Sequence, residues 1–482
     1  MGGRVVPEGS PLARGATARD AAIRQRRNVL YGGPTMSFET LALAPGWLEN
    51  LAQLGYREMT PIQALALPAM LAGRDVIGQA ATGTGKTAAF GLALLSRVTP
   101  RAGKPGALVL CPTRELAAQV ADEIRRLARP LPHLRVLTLT GGTSVQREKA
   151  SLAHGVDVLV GTPGRVADHL VRERLDLSGI RTLVIDEADR MLEMGFVETV
   201  SQIAGATPSD RQTLLFSATF PEAVRALSER YQRDALQVTA PAETLDITQV
   251  RYDMPRGERL PALIRILGHH QPSSAVIFCN YRETCDEVAA ALERASFAAV
   301  ALHGGMEQQD RNTVLLLLKN GSLRFVVATD VAARGLDIDD LGAVINYELP
   351  REHDTFTHRI GRTARAGKSG LAISLVDGSP PAWLDGIAPS PIPTADAAAP
   401  AVPAMATIAI QGGRQDRLRP GDIVGALTTG VGLAAADIGV ITVNERISFV
   451  AVAAAEVSRA LKGLADGRIK NKRFRSYAVK LP

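Results

Sequence analysis

From about residue 37 to residue 377, short apolar runs alternate with segments whose apolar residues recur at helical spacing. The short runs are almost entirely apolar, as in strands that are buried on both faces of a parallel sheet. Strands that alternate with helices predict an α/β architecture, because parallel neighbours need a crossover connection. The clearest predicted strands are Val76–Gly78, Ala107–Cys111, Val156–Val160, Thr182–Ile185, Thr213–Phe216, Ala275–Phe278, Phe325–Ala328 and Ala343–Asn346.

Shifts in pattern and composition divide the chain into five predicted segments. Two sheet domains fit the length better than one, and a linker-like run around Pro241 separates them. The last segment has the order strand–helix–strand–strand–helix–strand, which is that of a small ferredoxin-like α+β domain. The segments are a disordered basic tail (1–36), two parallel-sheet domains (37–240 and 241–377), a Pro/Ala-rich linker (378–405) and the α+β domain (406–482).

The positive charge of the chain lies at its two ends. The formal net charge is +6, to which residues 1–36 contribute +4 and residues 411–482 contribute +6, so the middle is acidic by 4. Basic ends favour a polyanionic partner through phosphate neutralisation, although basic tails also serve solubility alone. The Arg-rich start fits a tail, an organelle transit peptide or an upstream start artefact before Met36.

Other bulk features exclude some classes of protein. No apolar run approaches the roughly 20 residues that span a bilayer, so we expect no membrane partner. Three cysteines cannot build a disulfide framework, and Cys111 and Cys279 lie in strand-like apolar runs, as buried thiols of a reducing compartment do. We therefore expect a cytoplasmic protein.

A glycine-rich segment follows the predicted strand Val76–Gly78 and opens a helix. Its backbone N–H groups and helix N-terminus can cradle phosphates. Lys86 would place a charge on the outer phosphates, and the Thr87 hydroxyl would ligate Mg²⁺. Ala80 stands where the general pattern has glycine, so an ordinary Gly-rich turn is the alternative. The candidate phosphate-contacting residues are Ala81, Thr82, Gly83, Thr84, Gly85, Lys86 and Thr87.

An acidic tetrad, Asp186-Glu187-Ala188-Asp189, follows the apolar strand Leu183–Ile185. The carboxyl ends of strands are where open α/β sheets bind ligands. Asp186 is placed to hold Mg²⁺, and Glu187 is the candidate base that orients and polarises the attacking water. An exposed acidic helix cap is the alternative, against which the phosphate loop about 100 residues upstream argues.

The second predicted sheet domain carries Arg359, Arg362 and Arg365 at a spacing of three, which places them on one helical face or along one loop. Guanidinium groups suit a transferring γ-phosphate by charge and geometry. Taken alone, such a run is more often a solvated basic face.

Together and in this order, the motifs of residues 38–377 resemble those of the DEAD-box ATP-dependent RNA helicases. This resemblance implies two tandem RecA-like domains, an ATP-binding domain at 37–240 and a helicase C-terminal domain at 241–377, with ATP and Mg²⁺ as cofactors. It is carried by Gly55–Gln63, the glycine-rich loop, Pro112–Ala117, Gly141-Gly142, Thr162–Arg165, the tetrad, Ser217-Ala218-Thr219, Phe278-Cys279-Asn280, Gln308–Arg311, Ala328–Asp337 and His358–Arg365.

The resemblance also assigns roles by position. Phe38 and Gln63 would contact adenine, Asp337 would contact the ribose, and Arg362 and Arg365 would act as finger arginines beside the catalytic Lys86, Asp186 and Glu187. The residues that would couple hydrolysis to RNA remodelling are Asp189, Ser217, Thr219, His358 and Arg359, with the last two reaching from the second domain. The RNA-backbone contacts of the core would be Arg114, Gly142, Thr162, Arg165, Gln308, Arg311 and Thr329.

The expected function is therefore RNA-stimulated ATP hydrolysis with local strand separation in a cleft between two domains. Because ATP and RNA would both bridge the domains, each should favour the closed state and the other's binding. Contacts to phosphate and sugar carry no base code, so the core should not distinguish sequences. The alternatives are an ATP-gated RNA clamp or scaffold with little strand separation, and a DNA-acting motor. The Ser217–Thr219 motif and the Phe38/Gln63 pair argue against DNA.

The C-terminal segment resembles the RNA-binding domain of the DbpA subfamily through Arg417–Leu427, Asp437–Ile441 and Gly467–Arg475. The resemblance implies an RRM-like fold that docks on structured ribosomal RNA of the large subunit during ribosome assembly. The aromatic signature of sheet-type RNA binders is absent, so a basic edge or loop surface is expected to bind instead. The candidate contacts are Arg468, Lys470, Lys472, Arg473 and Arg475.

Two positions depart from the subfamily pattern. Asn471 stands where relatives have glycine, so a different loop backbone is expected there. After Val376, relatives carry a helix-like segment that is shortened here to Ala382–Asp385. The second sheet domain is therefore expected to lack a packing helix.

Overall fold

The computed structural model describes residues 37–43, 45–80, 83–241, 246–333, 341–364, 369–394 and 401–481. Within these ranges, two parallel sheets and one antiparallel sheet follow one another along the chain. The predicted fold class is confirmed. Among the described residues, each helix is either too short or too polar to span a lipid bilayer.

The first sheet has seven described strands, all parallel, in the order β3-β4-β2-β5-β6-β1-β7. They are β1 (Val76–Gln79), β2 (Ala107–Leu110), β3 (Val136–Leu139), β4 (Val158–Gly161), β5 (Thr182–Ile185), β6 (Gln212–Ser217) and β7 (Leu236–Thr239). Its helices are α1 (Pro45–Gln53), α2 (Pro61–Leu71), α3 (Lys86–Leu95), α4 (Arg114–Leu127), α5 (Val145–Ala153), α6 (Pro163–Val171), α7 (Ala188–Glu193), α8 (Val197–Gly205) and α9 (Glu222–Tyr231).

Alternate residues of the central strands enter cores on opposite faces of this sheet. On β5, Val184 joins the core with Phe90 of α3, while Leu183 and Ile185 join the core with Val200 of α8. This is the reason that the strand sequences are apolar throughout, because both faces of the sheet are covered by helices.

The second sheet repeats the arrangement, with the described strands in the order β10-β11-β9-β12-β13-β8-β14. They are β8 (Ile247–Asp253), β9 (Ala275–Cys279), β10 (Ala299–Leu302), β11 (Phe325–Thr329), β12 (Ala343–Asn346), β13 (Gly370–Val376) and β14 (Pro389–Ser390). Its helices are α10 (Arg259–His270), α11 (Arg282–Arg294), α12 (Gln308–Lys319), α13 (Asp330–Ala333) and α14 (His353–Ile360).

The short segment after Val376 packs on this second sheet. A 3₁₀ turn at Ala382–Leu384 buries Leu384 in a cluster with Phe356 of α14, and the Trp383 and Phe356 rings lie 4.5 Å apart. β14 then pairs with β8 as an added edge strand. In this protein a short 3₁₀ turn packs against α14, at the position where the resemblance implies a longer helix in relatives.

The third sheet is antiparallel, with the described strands in the order β16-β17-β15-β18. Its order along the chain is that of the predicted ferredoxin-like domain. Thr407 of β15 contacts the end of α12, since its Oγ1 accepts from Asn320 Nδ2 at 3.1 Å and lies 2.7 Å from Ser322 Oγ. The elements are β15 (Met405–Ile410), α15 (Pro420–Gly425), a π-helical turn (Ala426–Gly430), β16 (Ile438–Val443), β17 (Ser448–Ala453), α16 (Val457–Asp466) and β18 (Ser476–Ala478).

The loop before β18 has the backbone conformation that glycine would favour. Lys470 and Asn471 have φ of 49° and 62°, and Ile469 and Lys472 exchange two backbone hydrogen bonds across them. This is a two-residue hairpin with left-handed central residues, in which asparagine is among the best tolerated side chains. Asn471 therefore adopts the left-handed backbone conformation that a glycine would favour at this position.

Candidate active site

The loop between β1 and α3 has left-handed backbone at two glycines. Gly83 and Gly85 have φ of 84° and 87°, a region that residues with a Cβ rarely adopt. A Cβ at Gly85 would also lie 2.5 Å from the amide nitrogen of Gln63. The loop ends at the N-terminus of α3, which is the arrangement that a phosphate needs. Ala81 and Thr82, predicted phosphate contacts, lie outside the described residues.

Lys86 begins α3 and its side chain turns back into the loop. Its Nζ donates to the Ala80 carbonyl oxygen at 3.0 Å, and the residue is buried. One carbonyl satisfies only one of the three donors of an ammonium group. Lys86 and Thr87 both line the same cavity, in which a phosphate would meet the remaining donors.

Gln63 connects the predicted adenine segment to the phosphate loop. Its Oε1 accepts from the Thr60 backbone N–H at 2.9 Å, and its Nε2 donates to the Gly85 carbonyl at 3.0 Å. Thr60 Oγ1 donates to the Thr84 carbonyl at 2.7 Å. Phe38 is buried edge-on against Tyr56, with ring centroids 6.2 Å apart. The order of the phosphate loop therefore depends on the residues that are predicted to select adenine.

The tetrad follows β5 at the same edge of the sheet. Asp186 and Glu187 are both buried, and Glu187 has a φ of 52°, a strained conformation for a residue with a side chain. Burial raises the pKa of Asp186 to about 6, although the charge of Lys86 opposes the shift. Glu187 Oε2 has no hydrogen-bond partner among the described residues. Two carboxyl groups thus lie beside the phosphate loop with capacity for a further partner.

Asp189 joins the tetrad to the end of β6. Its Oδ2 accepts from the backbone N–H of Ala218 at 3.1 Å and from the N–H and hydroxyl of Thr219 at 2.8 and 3.0 Å. Ser217 Oγ accepts from the Asp189 N–H at 3.1 Å. Burial would raise the pKa of Asp189, but the hydrogen bonds from Thr219 together with nearby positive charge, including that of Lys86, lower it overall. The structure thus brings together the three predicted coupling residues of the first domain.

Arg359 is buried within the second domain. Its guanidinium donates to both oxygens of Asp330, at 2.7 and 2.8 Å, and to Asn280 Oδ1 at 2.9 Å, and it lies 4.9 Å from the centre of the Phe278 ring. Asp330 directly follows Thr329, the predicted RNA contact at the end of β11. Arg359 therefore orders the edge of the second sheet that faces the first domain.

His358 and Arg362 face the first domain. Burial and the charges of Arg190 and Arg362 lower the pKa of His358 to about 4, whereas Asp189 acts in the opposite direction. His358 is therefore neutral at neutral pH, close enough to Asp189 and Arg190 of the first domain for their charges to act on it. A cavity of about 680 Å³ lies between the domains, and its lining includes Lys86, Thr87, Asp186, Glu187 and Arg362. Asp337 and Arg365 lie outside the described residues.

A second set of contacts crosses the cleft between the predicted RNA-backbone residues. Gln308 accepts from Arg114 Nη1 at 3.4 Å and donates to Glu115 Oε1 at 3.1 Å, while Arg311 Nη2 lies 3.0 Å from the same Glu115 oxygen. A Cβ at Gly142 would lie 2.7 Å from Arg114 Nη1. The structure thus brings four of the predicted RNA contacts into one cluster around Glu115, to which the sequence assigned no role.

Three family models match the chain. A DEAD/DEAH box helicase model matches residues 60–227, a helicase conserved C-terminal domain model matches 258–367, and a DbpA RNA-binding domain model matches 407–476. The ATP-dependent RNA helicase DbpA of Escherichia coli K12 is 48% identical over 92% of this chain and 100% of its own length. The chain belongs to the DEAD-box RNA helicases, in the DbpA subfamily.

Other relatives cover about seven tenths of the chain. The helicase CshA of Geobacillus kaustophilus is 41% identical over 70% of this chain and 73% of its own length. The solved structure of S. cerevisiae Dbp5 bound to RNA and ADP BeF3 has a TM-score of 0.65 and 32% identity, and covers 71% of this chain and 90% of that one. This DEAD-box protein is thus an RNA-dependent ATPase and an ATP-dependent RNA helicase, and it carries a DbpA-type RNA-binding domain.

Sequence reasoning also missed Glu148, a buried carboxylate at the centre of the predicted RNA-facing loops of this helicase. Its Oε1 accepts from the Thr143 hydroxyl beside Gly142. Its Oε2 accepts from Arg165 Nε at 2.9 Å and lies 2.8 Å from His169 Nε2. Arg165 also donates to the Thr143 carbonyl at 3.1 Å. Arg165 and His169 lie on α6, and Thr162 is the N-cap of that helix. The Glu148 carboxylate therefore joins the Gly141-Gly142 motif to the Thr162–Arg165 motif, and both are predicted to contact RNA. A lone Glu on α5 and a lone His on α6 have no spacing signature, so only the structure associates them.

Glu148→Gln is expected to raise the RNA concentration that half-saturates ATPase stimulation by about tenfold, or about 1.4 kcal/mol. The amide keeps the size of the side chain but loses the charge-assisted bond to Arg165, so the two loops lose their common anchor. The KM for ATP should stay unchanged, because the contacts of Glu148 are with Thr143, Arg165 and His169 and not with the phosphate loop. An RNA titration of the ATPase, with exposed Glu222→Gln as the control, measures this. A loss of kcat at saturating RNA instead would contradict a loop-positioning role.

Proposed function

We propose that this helicase hydrolyses ATP with Glu187 as the water-orienting base and Arg362 as the finger arginine. The observation that carries this assignment is that both side chains, from different domains, line one cavity with Lys86 and Thr87. A base must lie within reach of the water, and a guanidinium within reach of the transferring phosphate. Neither domain alone supplies both groups, so catalysis depends on closure of the cleft.

The residues around Asp186 fit Mg²⁺. Burial raises the pKa of the Asp186 carboxyl, so a divalent cation beside it would stabilise its charged form. Glu187 Oε2 accepts no hydrogen bond from a described residue, although it lies 3.6 Å from Arg190 Nε. Mg²⁺ is usually held by one or two protein oxygens together with substrate phosphates, and the described residues contain no cluster of three or more acidic, His or Cys ligands. Asp186 and Thr87 would hold the ion, which would supply charge neutralisation on the phosphates.

The chain's own residues account for the remaining requirements of hydrolysis. Lys86 holds the outer phosphates, and Glu187 accepts a hydrogen bond from the attacking water at the end of β5. Asp189 connects this strand end to Ser217 and Thr219 through hydrogen bonds at 2.8 to 3.1 Å. A shift of the tetrad during hydrolysis therefore moves the loop after β6, which is the coupling that the sequence predicts.

The RNA substrate that we propose is structured ribosomal RNA of the large subunit, remodelled during ribosome assembly. The DbpA-type domain supports this targeting, and its C-terminal loop presents the basic side chains. Lys470 and Lys472 are paired with Asp422 and Asp416, at 2.9 and 3.4 Å. The exposed cations of the loop that lack a side-chain ion pair with a described residue are Arg468, Arg473 and Arg475, and these three are the proposed phosphate contacts.

Replacing Arg468, Arg473 and Arg475 together with alanine is expected to remove the preference for ribosomal RNA. Three lost phosphate contacts should reduce the slope of log affinity against log salt by roughly 2 to 3. ATPase stimulation and strand release are measured with a large-subunit ribosomal RNA fragment and with generic RNA of equal length.

The matched control replaces Arg446, Arg459 and Lys462, three exposed cations of the same domain outside this loop. Equal stimulation of the wild-type protein by both RNAs would reject ribosomal targeting. ATPase stimulation without strand release would favour an ATP-gated RNA clamp.

A further inference from the structure

A second basic surface lies between the C-terminal domain and the first helicase domain. We define the interdomain groove as a cavity of about 930 Å³ whose basic lining residues are Arg126, Arg414, Arg417, Arg419 and Lys470. Arg126 is on α4 of the first helicase domain. In the C-terminal domain, Arg414 begins a 3₁₀ turn (Arg414–Asp416), and Arg417, Arg419 and Lys470 are on loops. The end of β16 completes the wall with Ile441, Thr442, Val443 and Asn444.

The lining of this groove is mostly basic. Five lining residues are cations, and Asp122 is the one carboxylate among the described lining residues. Three of the cations are paired with carboxylates outside the lining: Arg126 with Glu123, Arg414 with Glu445 and Lys470 with Asp422. Asp122 is itself bound by Arg125 at 2.7 Å. Arg417 is exposed, and its side chain makes no hydrogen bond or ion pair with any residue in the described ranges. A concave surface with this excess of cations concentrates a polyanion.

The chemistry of the lining favours a phosphodiester backbone. Guanidinium groups bind phosphate oxygens in a fork, and each neutralised phosphate releases counterions. The described lining contains no aromatic side chain on which a base could stack. Contacts of this kind position a folded RNA by its backbone and shape without reading its sequence.

The groove is also connected to the ATPase cleft through the protein. Asp122, Arg126 and Thr442 line both the groove and the nucleotide cavity. Arg126 lies near the end of α4, and Arg114 and Glu115 of the cross-cleft cluster lie at its start. Twelve residues of α-helix separate the two ends, or about 18 Å. One rigid helix therefore contacts the groove at one end and the predicted RNA path of the core at the other.

We propose that the interdomain groove binds the phosphodiester backbone of the RNA that the C-terminal domain recruits, and that this RNA holds the C-terminal domain against α4. The proposal rests on the proposed function, in which the C-terminal domain recruits structured RNA. Beyond that function, the first helicase domain also binds the RNA that the C-terminal domain recruits. RNA held in this way orients α4, and with it the residues that contact the strand to be separated.

The test uses the full chain and compares two neighbouring arginines of α4. Arg126 pairs with Glu123 and Arg125 pairs with Asp122, each at 2.7 Å, but Arg125 also donates to the Val136 carbonyl at 3.1 Å, away from the groove. The probes are a structured large-subunit ribosomal RNA fragment and a generic RNA hairpin of equal length. Affinity is measured over a range of salt concentrations, and the thermal midpoint checks that each variant is folded.

We expect Arg126→Ala and Arg417→Ala each to reduce the salt slope by roughly 0.7 to 0.9, whereas Arg125→Ala leaves it unchanged. Arg126→Glu should weaken binding further than Arg126→Ala. If Arg417→Ala weakens binding but Arg126→Ala behaves like Arg125→Ala, the RNA does not reach α4 and the proposal is wrong. If neither groove variant weakens binding, RNA occupies another face and the proposal is also wrong. If both weaken binding of ribosomal and generic RNA equally, the groove is supported and only the ribosomal preference fails.

Discussion

Replacing Glu187 with Gln is expected to lower kcat for ATP hydrolysis by roughly 100- to 10,000-fold while ATP and RNA still bind. The amide is nearly the same size as the carboxylate, so the buried site at the end of β5 keeps its shape. It cannot accept a proton from the attacking water, and it orients that water less strongly than a charged group does. Single-turnover hydrolysis and nucleotide-binding titrations, both with saturating RNA, separate the chemical step from binding.

The matched control for this variant is Glu198→Gln, an exposed glutamate on the neighbouring helix α8. It should leave kcat unchanged. Hydrolysis by Glu187→Gln at the wild-type rate would exclude Glu187 as the base. A large loss of ATP affinity would show that Glu187 acts in binding rather than in the chemical step.

Replacing Arg362 with Ala is expected to lower kcat by roughly 1,000- to 100,000-fold, as loss of a finger arginine does. The cation faces the phosphate loop from the second domain, so its contribution grows as charge develops on the transferring phosphate. The KM for ATP should change much less, because Lys86 and the loop bind the ground state from the first domain. Steady-state ATPase kinetics with saturating RNA measure both quantities.

The conservative variant Arg362→Lys distinguishes charge from geometry. Lysine keeps the positive charge but lacks the planar fork, so we expect only partial recovery of kcat. Arg351→Ala, at an exposed arginine of the same domain, is the control. Equal losses of kcat and ATP affinity in Arg362→Ala would place Arg362 in nucleotide binding and exclude a finger role.

Most of the central strands could be predicted from the sequence because each is a continuous apolar run. The predicted strand Thr182–Ile185 has the same bounds in the structure, and Ala343–Asn346 does as well. The missed strands are mainly edges or neighbours of edges, such as β3, β7 and β10, whose half-exposed residues weaken the apolar signal. β13 was missed although it is buried, since Gly370 and Ser374 interrupt its apolar run.

The residues of the candidate site were also predicted only in part from the sequence. The glycine-rich loop, the tetrad and the arginine run are each local in sequence, so their chemistry was visible without a fold. Glu148 and Glu115 were missed because their partners are distant in the chain: Glu148 binds Arg165 and His169 of another helix, and Glu115 binds Gln308 and Arg311 of the other domain. A single carboxylate has no pattern, and its role depends on which cations the fold places beside it.

Patterns in the amino-acid sequence were sufficient to identify a two-sheet ATPase of the DEAD-box family with a basic C-terminal domain. Each of these patterns lies within a short stretch of the chain. The apolar runs predict strands, the glycine-rich segment predicts a phosphate loop, and the charged residues that directly follow strands predict catalytic groups. The fold was needed to show that Glu187 and Arg362 line one cavity, that Arg359 is bound within its own domain, and that the C-terminal domain forms a basic groove with α4. These contacts join residues that are well separated in the chain, and their spacing follows no periodicity.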